Sequence, residues 1–141
     1  MKKYLHLSLI LLACFLSASC QSTQQLEKDA DKVIIFGSGG GFAGQENEYI
    51  LGNDGSLKMK EKFKSEMTEI SSLKRCRVKK LFKQPGVIQF ETIDFKHPGN
   101  IYYFIRYKYS GGFHEVVWGD TKHPVPPEIK QFYESLISAT K

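Results

Sequence analysis

The chain predicts an α+β domain over residues 33–141: a single antiparallel sheet of about five strands covered by two helices. Three observations carry that expectation. Short β-branched and aromatic runs, at residues 33–36 and above all at Ile101–Tyr109, are bounded by glycine, asparagine and proline, the pattern of strands and turns. Two stretches, around Leu81 and around Phe132, place apolar residues at helical spacing. No regular β/α alternation exists from which to build a parallel sheet. The expected order is β-β-β-α-β-β-β-α.

Residues 1–19 are expected to stand outside this fold. Lys2 and Lys3 precede a run from Tyr4 to Leu16 that is apolar except at His6 and Ser8, followed by Ser17-Ala18-Ser19 and Cys20. The run is shorter than the ~20 residues of a membrane span and reads as a secretory signal. A cysteine directly after small residues, with Leu16 upstream, looks like the cleavage box of bacterial lipoprotein precursors. Leu11-Leu12-Ala13-Cys14 is a second match, but cleavage there would leave Phe15 and Leu16 exposed beyond the anchor. The resemblance implies lipidation at Cys20 and a membrane-anchored place in the bacterial cell envelope, on its periplasmic or surface side. An ordinary secreted chain with a cysteine near its start is the other reading. Acyl chains such as palmitate add ~0.8 kcal/mol of burial per CH2, and several together make attachment durable.

Residues 20–32 comprise that cysteine and a polar, nearly aliphatic-free tether, too poor in apolar surface to offset its ordering entropy. The segment from Val33 to Lys141 is long enough for one domain with one core. The formal charge of +5 falls to a mild +3 without Lys2 and Lys3. Nucleic acid is not expected as a partner outside the cytoplasm, and no aromatics interleave with the basic run to support it. Beyond Cys14 and Cys20 only Cys76 is left, so no intramolecular disulfide is expected, and Cys76 reads as a small buried apolar residue.

The glycine stretch decides between two kinds of protein. Val33-Ile34-Ile35-Phe36 runs into Gly37-Ser38-Gly39-Gly40-Gly41-Phe42-Ala43-Gly44, in which Gly39 to Gly44 fits G-x-G-x-x-G. A dinucleotide site needs a helix to begin at that loop and aim its amides at phosphate. Gln45-Glu46-Asn47-Glu48 instead places acids and acceptors there, and Asn53-Asp54-Gly55 soon follows as a strand-separating turn. A glycine-rich connection between antiparallel strands is therefore expected, with no nucleotide and no cofactor. Phe42 in its middle either folds back on the core or projects as an anchor for a partner.

The remaining elements follow in order. Residues 48–51 and 56–59 read as a hairpin across Asn53-Asp54-Gly55, and a further strand is possible over 63–70. Ser71-Ser72 offers an N-cap to a helix carrying Leu73, Cys76, Val78, Leu81 and Phe82, ended by Gln84-Pro85-Gly86. Lys74, Arg75, Arg77, Lys79, Lys80 and Lys83 lie on it, with no acid between Glu69 and Glu91. A solvated face is the ordinary reading of such a run. For a tethered protein the functional reading is contact with an anionic membrane surface. Residues 87–95 alternate as a strand, His97-Pro98-Gly99-Asn100 turns, and Ile101–Tyr109 pairs through Ser110-Gly111-Gly112 with the stretch ending at Trp118. Pro126-Pro127-Glu128 opens the last helix, with Ile129, Phe132, Tyr133, Leu136 and Ile137 as its apolar stripe.

Catalytic chemistry is not signposted. His97, His114 and His123 lack metal-ligand spacing, no nucleophile elbow surrounds Ser38, and the carboxylates are scattered. No metal and no catalytic residue are nominated, and the chain is expected not to be an enzyme. An envelope enzyme built on Ser38, His114 and Asp120 is the alternative, and a purely structural lipoprotein a third reading. Trp118 and Asp120, at the end of a strand, join Gly39, Gly40, Gly41 and Phe42 as the candidate binding residues, although core packing and a capped turn account for them more simply.

At Gly40-Gly41-Phe42-Ala43-Gly44 the chain resembles emfourin, a small inhibitor of thermolysin-like metalloproteases. Asn100-Ile101-Tyr102-Tyr103 and Pro126-Pro127-Glu128-Ile129 are similar to that family's later Tyr-rich strand and Pro-led helix. The lipoprotein-like leader, the upstream Gly37-Ser38-Gly39 and the long aromatic strands depart from it. The chain also looks like a group of small bacterial lipoproteins, of no assigned activity, that share a GGGFAG-type loop, His97-Pro98-Gly99-Asn100 and Trp118-Gly119-Asp120. These likenesses imply a lipid-anchored, non-catalytic module that binds a protein partner, with protease inhibition as one outcome. They assign no inhibitory role to any single residue.

Overall fold

The structure, a computed structural model, describes residues 32–42, 44–61 and 67–141. The leader, Cys20, the tether through residue 31 and part of the expected 63–70 strand lie outside the described residues. Seven strands form one mostly antiparallel sheet: β1 (Val33–Gly40), β2 (Gln45–Gly52), β3 (Ser56–Glu61), β4 (Thr68–Ser72), β5 (Lys96–His97), β6 (Ile101–Tyr109) and β7 (Gly112–Trp118). Their order across the sheet is β4-β3-β2-β1-β6-β7-β5, and only the short β5 runs parallel to its neighbour, β7. Helix α1 spans Arg75–Val87 and α2 spans Pro127–Ile137. Among the described residues no helix is long and apolar enough to cross a membrane.

The strand β1 sits at the centre and aligns the others. Ile34 stands opposite Leu51 on β2 and Tyr107 on β6, and Phe36 opposite Tyr49 and Ile105. Because side chains alternate between faces, these residues share one face with Leu57, Val116 and Trp118. That face meets Leu81 of α1 and Ile129, Phe132 and Leu136 of α2 in a single core. The α2 stripe is the expected one: Ile129, Phe132 and Leu136 are buried, with Tyr133 and Ile137 packed at the margin.

Several local expectations are corrected. The glycines are mostly strand: β1 continues through Gly40, and only residues 41–44 form the connection to β2. Ser71 and Ser72 are taken up by β4, which pairs with Leu57 and Ser56 of β3, so they cap nothing. Helix α1 starts at Arg75 without a side-chain cap and runs through Pro85 to Val87. A proline in the last turn disturbs little, since it lies buried and the turn closes from the Ile88 and Gln89 amides. The stripe that faces the core is Val78, Leu81 and Pro85, whereas Cys76 is exposed and free.

The expected strand over 87–95 does not form. Gln89 adopts a left-handed conformation (φ 51°), and Phe90–Thr92 is a 3₁₀ turn. Phe90 is fully buried there, edge-on to His114 and Phe132. Its burial as a plug between α2 and the sheet is what the apparent alternation concealed. Strands β4 and β5 raise the count from about five to seven.

Candidate functional site

All the candidate binding residues gather at one end of the sheet. There β1 ends at Gly40, β2 begins, β6 begins opposite at Ile101, and β7 ends at Trp118 beside Tyr103. The hairpin connection is held rather than loose. Gly41 and Gly44 have φ of 74° and 55°, a region that favours glycine, and the Gly44 amide donates to the Gly41 carbonyl at 3.0 Å. The Gly41 amide donates to Asn100 O at 2.8 Å, tying the hairpin to the turn before β6. Phe42, between these anchors, is 111% exposed; it does not fold back on the core. Ala43 lies outside the described residues. Ile101, opposite Gly40, and Tyr103 are also exposed, at 56% and 38%.

Beside this apolar edge lies a cleft of about 550 Å3 whose wall includes Tyr103, Trp118, Tyr133, Asp120, His123 and Lys130. Tyr103 stacks on Trp118 (5.8 Å), and the Tyr133 ring stands edge-on to Trp118 at 5.1 Å. Trp118 is only 8% exposed, so its ring is the floor of the cleft and part of the core. The Tyr133 hydroxyl donates to Gly37 O at 3.1 Å; burial and the neighbouring Tyr103 and Tyr49 push its pKa up to about 12. Asp120 accepts from the Lys122 amide at 3.0 Å and from His123 Nδ1 at 2.7 Å, which holds its carboxyl below the usual range. His97 stacks on His123 at 4.2 Å. Among the described residues no cluster of three metal-ligating side chains occurs.

Gly39 is in a different position from its neighbours. It is a buried strand residue on the opposite face, and a β-carbon there would lie 2.5 Å from Tyr102 Oη. It serves the site by letting that ring lie across β1, and offers no surface of its own.

Ser38, His114 and Asp120 do not converge. Ser38 pairs with Tyr103 and His114 with Tyr107, four positions further along β6, or roughly 13 Å at the usual rise. His114 Nε2 bonds Ile93 O at 2.9 Å. The partner of Asp120 is His123, with His97 behind it.

On the other face of β6, which carries Tyr102, Phe104 and Arg106, the sequence does not show which acids meet the arginine. Arg106 bonds Glu115 Oε1 at 2.6 Å and Glu48 Oε2 at 2.9 Å, with Glu46 at 3.8 Å. Its guanidinium also lies 4.2 Å over the Phe104 ring. Tyr102 Oη donates to Glu46 Oε2 at 2.7 Å, which raises the phenol's pKa. The spacing Glu46, Glu48 on one strand and Tyr102, Phe104, Arg106 on another was the available signal. It acquires meaning only once β1 is known to run between them.

No protein-family model matches the chain, and comparison with curated proteins finds no match.

Proposed function

We propose that the chain is a lipid-anchored, non-catalytic module of the bacterial cell envelope whose hairpin end binds a protein partner. The likeness at Gly40-Gly41-Phe42-Ala43-Gly44 makes a thermolysin-like metalloprotease the partner to try first. The observation that carries this reading is the complete exposure of Phe42 on a hairpin pinned at Asn100. Pinning the backbone on either side of such a ring before encounter lowers the entropic cost of binding, and aromatic anchors entering a partner's pocket dominate interface energies. Ile101 and Tyr103 extend the apolar edge, and Asp120, His123 and Lys130 supply a polar rim.

The test is inhibition of a thermolysin-like metalloprotease by the chain from Gln21, beside Phe42→Ala. Inhibition weakened on the order of 30-fold or more by the substitution is expected. Inhibition unaffected by Phe42→Ala would remove the hairpin from the interface. With no inhibition, affinity capture from envelope extracts separates another protein partner, lost with Phe42→Ala, from a purely structural lipoprotein with none. Acyl labelling of the full chain, abolished by Cys20→Ala, tests the anchor.

A further inference from the structure

We infer that the outward face of α1 is a docking surface for an anionic lipid bilayer, and that it holds the hairpin end away from the membrane. On α1, Val78, Leu81 and Pro85 point into the fold, so the opposite face carries Lys79, Lys80 and Lys83, flanked by Lys74, Arg75 and Arg77. All six basic residues are exposed. Arg77 bonds Ser138 Oγ at 3.0 Å, and among the described residues none of the six ion-pairs with a carboxylate. The nearby Asp54 is already occupied by the Ser56 amide and hydroxyl at 2.9 and 2.7 Å. A one-signed, unneutralised helix face is complementary to an anionic leaflet, where each basic group contributes on its own.

The placement of the chain's entry supplies the second line of argument. Lys32 and Val33, where the described domain begins, line the same hollow as Arg75, Val78 and Lys79. Whatever anchors the preceding segment therefore delivers the domain beside α1. The twelve residues that follow Cys20, through Lys32, have the polar composition of a tether, for which roughly 20 Å is the expected span, short enough for α1 to reach the headgroups. From Val33, β1 runs the length of the sheet to Gly40, about 25 Å at the usual rise, so Phe42 is carried to the far end. The placement of α1 beside the anchor rests on the anchored reading proposed above, whereas its charge complementarity does not; the chain tested below lacks the anchor, so binding can fail while that reading stands.

The experiment uses the chain from Gln21, which keeps every core residue from Ile34 to Ala139 and in which Cys76 is the only cysteine. Co-sedimentation is measured with vesicles of phosphatidylcholine alone and of phosphatidylcholine with phosphatidylglycerol in equal parts. Binding to the mixed vesicles only is expected, weakened by added salt. The triple substitution Lys79→Gln, Lys80→Gln, Lys83→Gln should lower affinity on the order of 100-fold, with circular dichroism unchanged. An environment-sensitive dye on Cys76 should respond to mixed vesicles, while the same dye at Phe42→Cys in a Cys76→Ser background should not. Equal binding to both vesicle types, an unaffected triple variant, a dye response at position 42 but not 76, or tighter binding to a short RNA would each overturn the inference.

Discussion

On the helix-covered face of β1, Phe36 stacks on Tyr49 at 5.4 Å within a core completed by α1 and α2. One residue further along, on the open face, Gly37 and Gly39 contribute no side chain at all. There Tyr102 and Phe104 of β6 lie across the glycines, and Arg106 reaches over β1 to Glu48. Phe104 is as fully buried as Phe36, although among the described residues it lies outside the core that the helices complete. Two layers of packing thus arise from one strand: aliphatic and aromatic side chains against helices on one side, and neighbouring rings with a charged lattice on the other. Glycine in mid-strand, normally a weakness, becomes the recess that receives the rings.

The contrast is sharpest in core deletions. Phe36→Ala should cost about 3–5 kcal/mol, the usual range for emptying an enclosed aromatic site. Phe104→Ala should cost less, because solvent can enter the space it leaves. Urea unfolding of both variants measures the difference, and equal losses would erase the distinction between the faces.

Gly39→Val tests the recess directly. The added β-carbon displaces the Tyr102 ring, at about 1–3 kcal/mol. The same substitution in a Tyr102→Ala background should cost measurably less, a coupling that a double-mutant cycle reads. Additive losses would mean that the glycine is needed for its backbone alone.

The charged lattice and the half-buried phenol differ in the solvent variable they answer to. Arg106→Gln leaves Glu46, Glu48 and Glu115 facing one another and should cost about 1–2 kcal/mol, shrinking as salt is raised. On the covered side, Tyr133 is held protonated with its pKa raised from 10.0 to about 12. Folding therefore retains a proton that the unfolded chain loses above pH 10. Stability is complete below that value and falls as pH rises towards 12, by about 1–2 kcal/mol for a partly buried group. Tyr102 and Tyr109 are shifted in the same direction. Tyr133→Phe should flatten part of that alkaline decline in thermal melts while leaving the salt response unchanged.

Periodicity located the elements whose partners are near in sequence. The hairpin around Asn53-Asp54-Gly55, the pair β6 and β7 and the Pro-led α2 were all readable, because turn chemistry and side-chain alternation are local properties. Residues 87–95 were misread because Phe90 is buried by a 3₁₀ turn closing on His114, and alternation cannot tell that from a strand. Ser71 and Ser72 have the chemistry of a cap and were claimed by an edge strand whose pairing with β3 is a non-local fact. Of the site, the exposed Phe42 and the strand end at Trp118 and Asp120 were legible as residues of interest. Their common location was not, since it rests on Gly40 facing Ile101 and Tyr103 facing Trp118 across the sheet.

By itself, then, the order of residues settled the α+β class, the antiparallel hairpins and the placement of the last helix, all consequences of short-range sterics and hydrophobic period. Only the tertiary structure decided which face each glycine served, which acids met Arg106, and that the hairpin and the basic helix lie at opposite ends. Those outcomes depend on register between strands far apart in the chain. A shift of one residue in that pairing would have exchanged every face.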